Sequence, residues 1–150
     1  MRKLVITALP AVLALSVWTP TATASSDDRV GPVRIARVSY DGAGSDTGSN
    51  PSLNREWVAI KNNGSNARQL RGWTLRDPAG HVYRFPRFTL RPGRTVKVHT
   101  GSGRRTARHL YWGQDWYVWN NDGDRAILRH RSGRLIDRCA WDDGDGTKRC

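Results

Sequence analysis

The sequence predicts an all-β fold, a sandwich or barrel of short strands, and three observations carry that expectation. Clusters of Gly, Pro, Asn and Asp recur at Asp41-Gly42, Asn62-Asn63-Gly64, Asp77-Pro78-Ala79-Gly80, Pro92-Gly93, Gly101-Ser102-Gly103, Asn121-Asp122-Gly123 and Ser132-Gly133. The runs between them are short and rich in Val, Ile, Trp, Tyr and Phe, and turn signals at about 8–12 residue intervals are what such folds produce. The runs also alternate: Val96 and Val98 share one face of Thr95-Val96-Lys97-Val98-His99, Val58 and Ile60 share a face, and Ala126 and Leu128 oppose Arg125, Ile127 and Arg129. Beyond residue 24, no stretch places apolar residues at helical spacing over three turns, so helix content is expected to be low. No internal repeat is visible.

Taken in order, the chain opens with Arg2 and Lys3, an apolar run over 4–17 broken only by Thr7, Pro10 and Ser16, and then Ala22-Thr23-Ala24. A positive start, an apolar middle and a small-x-small end make residues 1–24 a signal peptide, with the mature chain starting near Ser25. The apolar run falls short of the roughly 20 residues that span a bilayer, and no second one follows. The protein is therefore expected to be secreted, with no membrane span after cleavage. Residues 25–32 read as a flexible N-terminal lead, and 33–150 as one domain with one core.

Two hairpins are expected. A strand over 116–120 should pair with 125–130 around Asn121-Asp122-Gly123-Asp124, and 125–130 with 134–141 around Ser132-Gly133, glycine supplying the positive φ. Residues 41–54, polar and without periodicity, read as a long loop. The expected core holds Trp57, Val58, Ile60, Trp73, Leu75, Phe85, Val96, Val98 and Leu128, with Trp73 filling the space between two sheets. Cys139 and Cys150 are the only cysteines. In an exported chain they are expected to form a disulfide that ties the last residue to the strand holding Cys139, worth about 3 kcal/mol for a loop of this size.

Charge points to the class of partner. Without the leader, 23 basic residues face 13 acidic ones, a net +10, and only Lys61, Lys97 and Lys148 of the basic residues are lysines. Such an excess favours polyanions: nucleic acid, an anionic cell-wall polymer or phospholipid headgroups. The rival reading of the charge is solubility together with the codon bias of an arginine-rich genome.

Several motifs resemble one family. Asn54-x-Glu56-Trp57-Val58-x-Ile60-x-Asn62 is followed by Leu70-x-Gly72-Trp73-x-Leu75-x-Asp77-x-x-Gly80 and Tyr83-x-Phe85. Then come Leu90-x-Pro92-Gly93-x-x-Val96-x-Val98-x-Thr100-Gly101, Tyr111-Trp112-Gly113, and Trp119-Asn120-Asn121-x-Gly123-Asp124-x-x-x-Leu128. In this order they resemble the lamin tail domain over nearly the whole mature chain. The resemblance implies an immunoglobulin-like β-sandwich, a single domain of about seven to nine strands. It also implies a domain found in exported bacterial proteins as an accessory module, without a catalytic site of its own. The chain departs from multidomain members in having no attached enzyme, and from lamins in having no coiled coil.

Candidate site residues follow from local chemistry. Tyr111, Trp112, Trp116, Tyr117 and Trp119 lie close in sequence to Arg104, Arg105, Arg108 and His109. Aromatics interleaved with arginines suit stacking on bases or sugars with guanidinium on phosphate, so Arg104, Arg105, Arg108, His109, Trp112, Trp116 and Tyr117 form the candidate ligand site. Core packing beside a basic loop is the alternative. Glu56, the only glutamate, is suited to accept backbone N–H bonds and hold the 41–54 loop. Calcium near Asp41 and Glu56, or near Asp143 and Asp145, is the less favoured reading. No metal or cofactor is expected.

No nucleophile elbow, zinc-protease helix, Walker loop or dinucleotide fingerprint is present. The expectation is a non-catalytic secreted binding module of lamin-tail type, contacting a polyanion, with nucleic acid ahead of wall polymer. One alternative is a structural domain that binds another exported protein and whose basic surface is incidental. The other is a small secreted ribonuclease using Glu56, an arginine and His99 or His109, which needs all three within hydrogen-bond reach of one substrate.

Overall fold

The computed structural model describes residues 31–150, so the expected leader and almost all of the N-terminal lead lie outside the described residues. The elements are β1 (Val33–Ser39), α1 (Asn50–Leu53), β2 (Trp57–Asn62), β3 (Arg68–Gln69), β4 (Thr74–Arg76), β5 (Val82–Arg84), β6 (Thr89–Leu90), β7 (Thr95–His99), β8 (His109–Tyr111), β9 (Gly123–Arg129), β10 (Leu135–Asp142) and β11 (Thr147–Arg149). One sheet runs β11-β1-β2-β7-β8 and the other β10-β9-β4-β5, with β3-β6 as a separate ribbon. All pairs are antiparallel except β7 and β8. The result is an immunoglobulin-like β-sandwich, with nine strands in its two sheets.

Alternation fixes what lies between the sheets. Val58, Ile60, Val96 and Val98 on one side, and Leu75, Ala126 and Leu128 on the other, are buried in a single cluster with Trp73 and Phe85. An aromatic chain crosses it. Phe85 meets Tyr83 (5.0 Å between centroids), Tyr83 meets Trp112 (5.7 Å), Trp112 meets Trp119 (5.9 Å), Trp119 meets Trp141 (5.8 Å), and Trp141 stacks on Tyr40 (5.1 Å). Tilted and edge-on contacts at these distances add to the area each ring buries.

The two sheets are tied directly. The register of β1 on β2 slips between Ile35 and Arg37, and that of β10 on β9 slips between Leu135 and Asp137. At these two bulges the Ile35 N–H donates to the Asp137 carboxylate (2.9 Å). The expected disulfide is present: Cys139 of β10 joins Cys150, just past β11, with Cα atoms 5.7 Å apart. It therefore links an edge strand of one sheet to an edge strand of the other, and the Cys150 N–H donates to the Ala36 carbonyl.

Three expectations are corrected. Trp57 is not core: the pleat that turns Val58 and Ile60 inward turns Trp57 outward, where it is half-buried with the Lys97 ammonium 3.7 Å above its ring. Residues 116–120 form no strand, because the N–H groups of Val118 and Trp119 go to the Glu56 carboxylate rather than to a ladder. The 41–54 loop ends in one helical turn, α1.

Register also sorts the strand ends into two poles. Val33, Asn62 and Thr95 end the first sheet on the side where Thr74, Arg129 and Leu135 end the second. Ser39, Trp57 and His99 end it on the side of Gly123 and Asp142, where Tyr40 meets Trp141. The loops 41–46, 115–124 and 142–145, all at this second pole, hold eight of the eleven described carboxylates. The loops 63–67, 85–88, 91–94 and 130–134 of the first pole hold none, and they hold five arginines.

Candidate functional site

At the first pole the sequence Arg91-Pro92-Gly93-Arg94 closes a tight turn between β6 and β7. Proline presets the second position, Gly93 takes φ 67°, and the Arg94 N–H returns to the Arg91 carbonyl (3.2 Å). The turn brings two guanidinium groups together. The segment entering β8 lies beside it. Thr106 Oγ1 accepts the N–H groups of Arg108 (3.2 Å) and His109 (3.0 Å), and the Lys97 N–H donates to the Arg108 carbonyl (2.9 Å). The Arg105 guanidinium donates to the Arg87 carbonyl and lies 5.7 Å from the centre of the Phe88 ring.

Between turn and segment is an open cleft of about 620 Å³ lined by Phe88, Thr89, Leu90, Arg91, Arg94, Thr95, Arg105, Thr106, Ala107 and Arg108. A second, about 460 Å³, shares Arg94, Thr95 and Arg108 with it and adds Gly93, Lys97 and His109. No carboxylate lines either one. Among the described residues, His81 Nδ1 lies 2.6 Å from the Asp77 carboxylate, and no arginine or lysine has a carboxylate within 4.0 Å. Among the described residues, the cationic groups of this pole thus have no carboxylate paired with them.

His109 closes one side. His99 Nδ1 lies 2.8 Å from the Asn54 carbonyl, which can only accept, so that nitrogen carries the proton. His99 Nε2 then accepts from His109 Nδ1–H (2.9 Å). Burial is the main cause holding the His99 pKa below its usual value. The neighbouring His109 and Lys97 push the same way, and the Asn54 carbonyl opposes them. The Lys97 ammonium is also lowered, first by burial and then by Arg37.

The sequence-predicted site is only partly assembled. Arg105, Arg108 and His109 converge; Arg104 is exposed but lines neither cleft. Trp112 packs against the core. Tyr117 clamps the 41–54 loop, its hydroxyl 2.5 Å from Ser52 Oγ and accepting from the Gly48 N–H (3.3 Å). Trp116 is 65% exposed and stands edge-on to Tyr117. Arg91, Arg94 and Lys97 were missed, although the Arg-Pro-Gly-Arg turn was a signal that could have found the first two.

Glu56 is the other group with unusual chemistry. Its carboxylate is buried and accepts the N–H groups of Val118 (3.1 Å) and Trp119 (3.2 Å). It therefore holds the 112–122 loop rather than the 41–54 loop. Desolvation raises its pKa to about 7, against the opposing pull of the two N–H bonds. With both oxygens engaged inside the protein, it faces neither Asp41 nor an open cleft. His99 is likewise occupied on both nitrogens, which leaves the ribonuclease reading with His109, and both Glu56 oxygens already accept backbone N–H groups inside the protein. Among the described residues, no three His, Cys, Asp or Glu side chains converge as metal ligands, and no helix is long and apolar enough to cross a membrane.

The chain matches no curated protein. The model of the lamin tail domain family matches residues 26–143, which takes in β1 to β10 and both basic clefts, and so the chain belongs to the Lamin Tail Domain family.

Proposed function

We propose that this domain is a non-catalytic, exported binding module whose ligand is a polyanion held at the arginine-lined pole. The observation that carries this reading is the pair of overlapping clefts lined by Arg91, Arg94, Lys97, Arg105 and Arg108 without a carboxylate in either lining. Guanidinium groups match phosphate oxygens in bidentate geometry and lose less hydration than ammonium groups on contact. The leader-like N-terminus and a disulfide fit a site of action outside the cell, where thiols oxidise.

Titrating the protein with DNA and with a teichoic-type polymer across salt concentration tests the proposal. Five contacts of this kind give a slope of about −3.5 to −4.5 in log affinity against log salt. Affinity that stays flat with salt, or no binding to either polymer, contradicts it.

A second reading has one observation in its favour. Trp116 exposes a large ring at the acidic pole, away from the arginines, as a protein contact would use it. A single exported partner, recovered by pull-down and retained at high salt, would favour this reading.

A further inference from the structure

The basic surface does not stop at Arg105. Its guanidinium reaches the Arg87 carbonyl, and Arg87 lines a third cleft, about 510 Å³, with Arg71, Arg131 and His130. That cleft shares Gln69, Trp73 and His130 with a fourth, about 310 Å³, which adds Arg68 and Arg134. The β3–β6 ribbon bridges the two halves: Thr89 and Leu90 line the first cleft, while their partners Gln69 and Arg68 line the third and fourth. The four concavities thus adjoin in series, from Lys97 and His109 at one end to Arg134 at the other, and none has a carboxylate in its lining.

One further feature narrows what could lie in such a track. The phenylalanine and tryptophan rings along it, Phe88 and Trp73, are 6% and 7% exposed, so neither offers a face on which a base could stack, and the two imidazoles, His109 and His130, are half-buried. The broadly exposed ring, Trp116, stands at the acidic pole. Binding of single-stranded nucleic acid draws on base stacking as well as charge, and this track supplies charge with no open tryptophan, tyrosine or phenylalanine face. Resting on the polyanion reading above, we infer that the ligand is an extended, base-free polyphosphodiester read through its backbone phosphates along the whole track.

The experiment compares poly(glycerol phosphate) with a single-stranded oligodeoxynucleotide of equal phosphate number, at the same salt, on the wild type and on Arg71→Glu/Arg131→Glu. Both substituted residues are exposed, and thermal unfolding checks that the variant stays folded. The expected result is base-free polymer binding at least as tightly as DNA, with the variant weakening it tenfold or more. DNA binding more than tenfold tighter than the base-free polymer overturns the inference, because bases are then being read. A long polymer whose affinity changes less than twofold in the variant overturns it too, because the contacts then end at Arg105. Both of those results leave the polyanion reading standing, whereas binding to neither polymer removes both.

Discussion

The Glu56 carboxylate accepts the backbone N–H groups of Val118 and Trp119, 62 and 63 residues further along the chain. One side chain at the start of β2 thereby supplies the acceptors that a neighbouring strand would otherwise provide. The geometry has a cost in charge. The group keeps its proton to about pH 7, against 4.5 for an ordinary glutamate, chiefly because it is buried.

The sign of the pH effect follows. Between 4.5 and about 7 the folded protein holds a proton that the unfolded chain has released, so this group makes stability fall as pH rises through that window. The total is on the order of 3 kcal/mol. His99 acts in the opposite sense: its depressed pKa makes the unfolded chain take up the proton first as pH falls below 6.5. The two separate in Glu56→Gln, whose amide turns an N–H2 toward one of the two backbone donors and costs about 1–3 kcal/mol. Urea unfolding should show the wild-type advantage over Glu56→Gln largest near pH 4.5 and shrinking by about 3 kcal/mol toward pH 8. An advantage that does not change with pH contradicts this account.

Asp137 should matter through the bulges. Replacing it by Ala leaves the Ile35 N–H between the sheets without an acceptor, for a loss of about 1–3 kcal/mol. Arg138→Ala, one residue on and exposed, should stay within about 0.5 kcal/mol. Equal effects of the two in denaturant unfolding would remove the inter-sheet role.

The Cys139–Cys150 bridge closes a loop of sequence separation 11, and removing it should lower stability by about 3 kcal/mol on the chain-entropy model. β11 is a three-residue edge strand paired only with β1. After reduction, its amides should lose hydrogen-exchange protection first while those of β2 and β7, in the centre of the sheet, keep theirs. Uniform loss across the sheet would show that the bridge supports the whole sandwich rather than its edge.

Two tryptophans test the division between core and surface. Trp73→Ala removes a buried ring and should cost about 3–5 kcal/mol, whereas Trp116→Ala removes an exposed one and should stay below about 1 kcal/mol. Denaturation midpoints read both, and comparable losses would contradict the assignment.

Turn chemistry and alternation made most of the sandwich legible, since each glycine- or proline-bearing cluster closes a connection and each alternating run buries its apolar side. What stayed hidden depends on contacts distant in sequence. Trp57 follows Glu56 in an apolar run, and only the pleat decides that Val58 and Ile60 face inward instead. Trp116-Tyr117-Val118-Trp119 reads as a strand by composition, yet its backbone partner is a side chain more than 60 residues away. The candidate site residues are dispersed for a similar reason. Arg108 and Trp112 flank β8, and a three-residue strand carries them apart by roughly 13 Å toward opposite poles. Residues adjacent in sequence were read as one surface, while Arg91 and Arg94, which do share the cleft, come from the turn before β7.

Backbone amide shifts of the isotopically labelled protein, followed by NMR during titration with poly(glycerol phosphate), test the polyanion site most directly. The account predicts shifts that saturate at Arg91, Arg94, Arg105, Arg108 and His109, and fade with added salt, with little change over 115–124 and 142–145. Shifts centred on those acidic loops, or none anywhere at low salt, would contradict it.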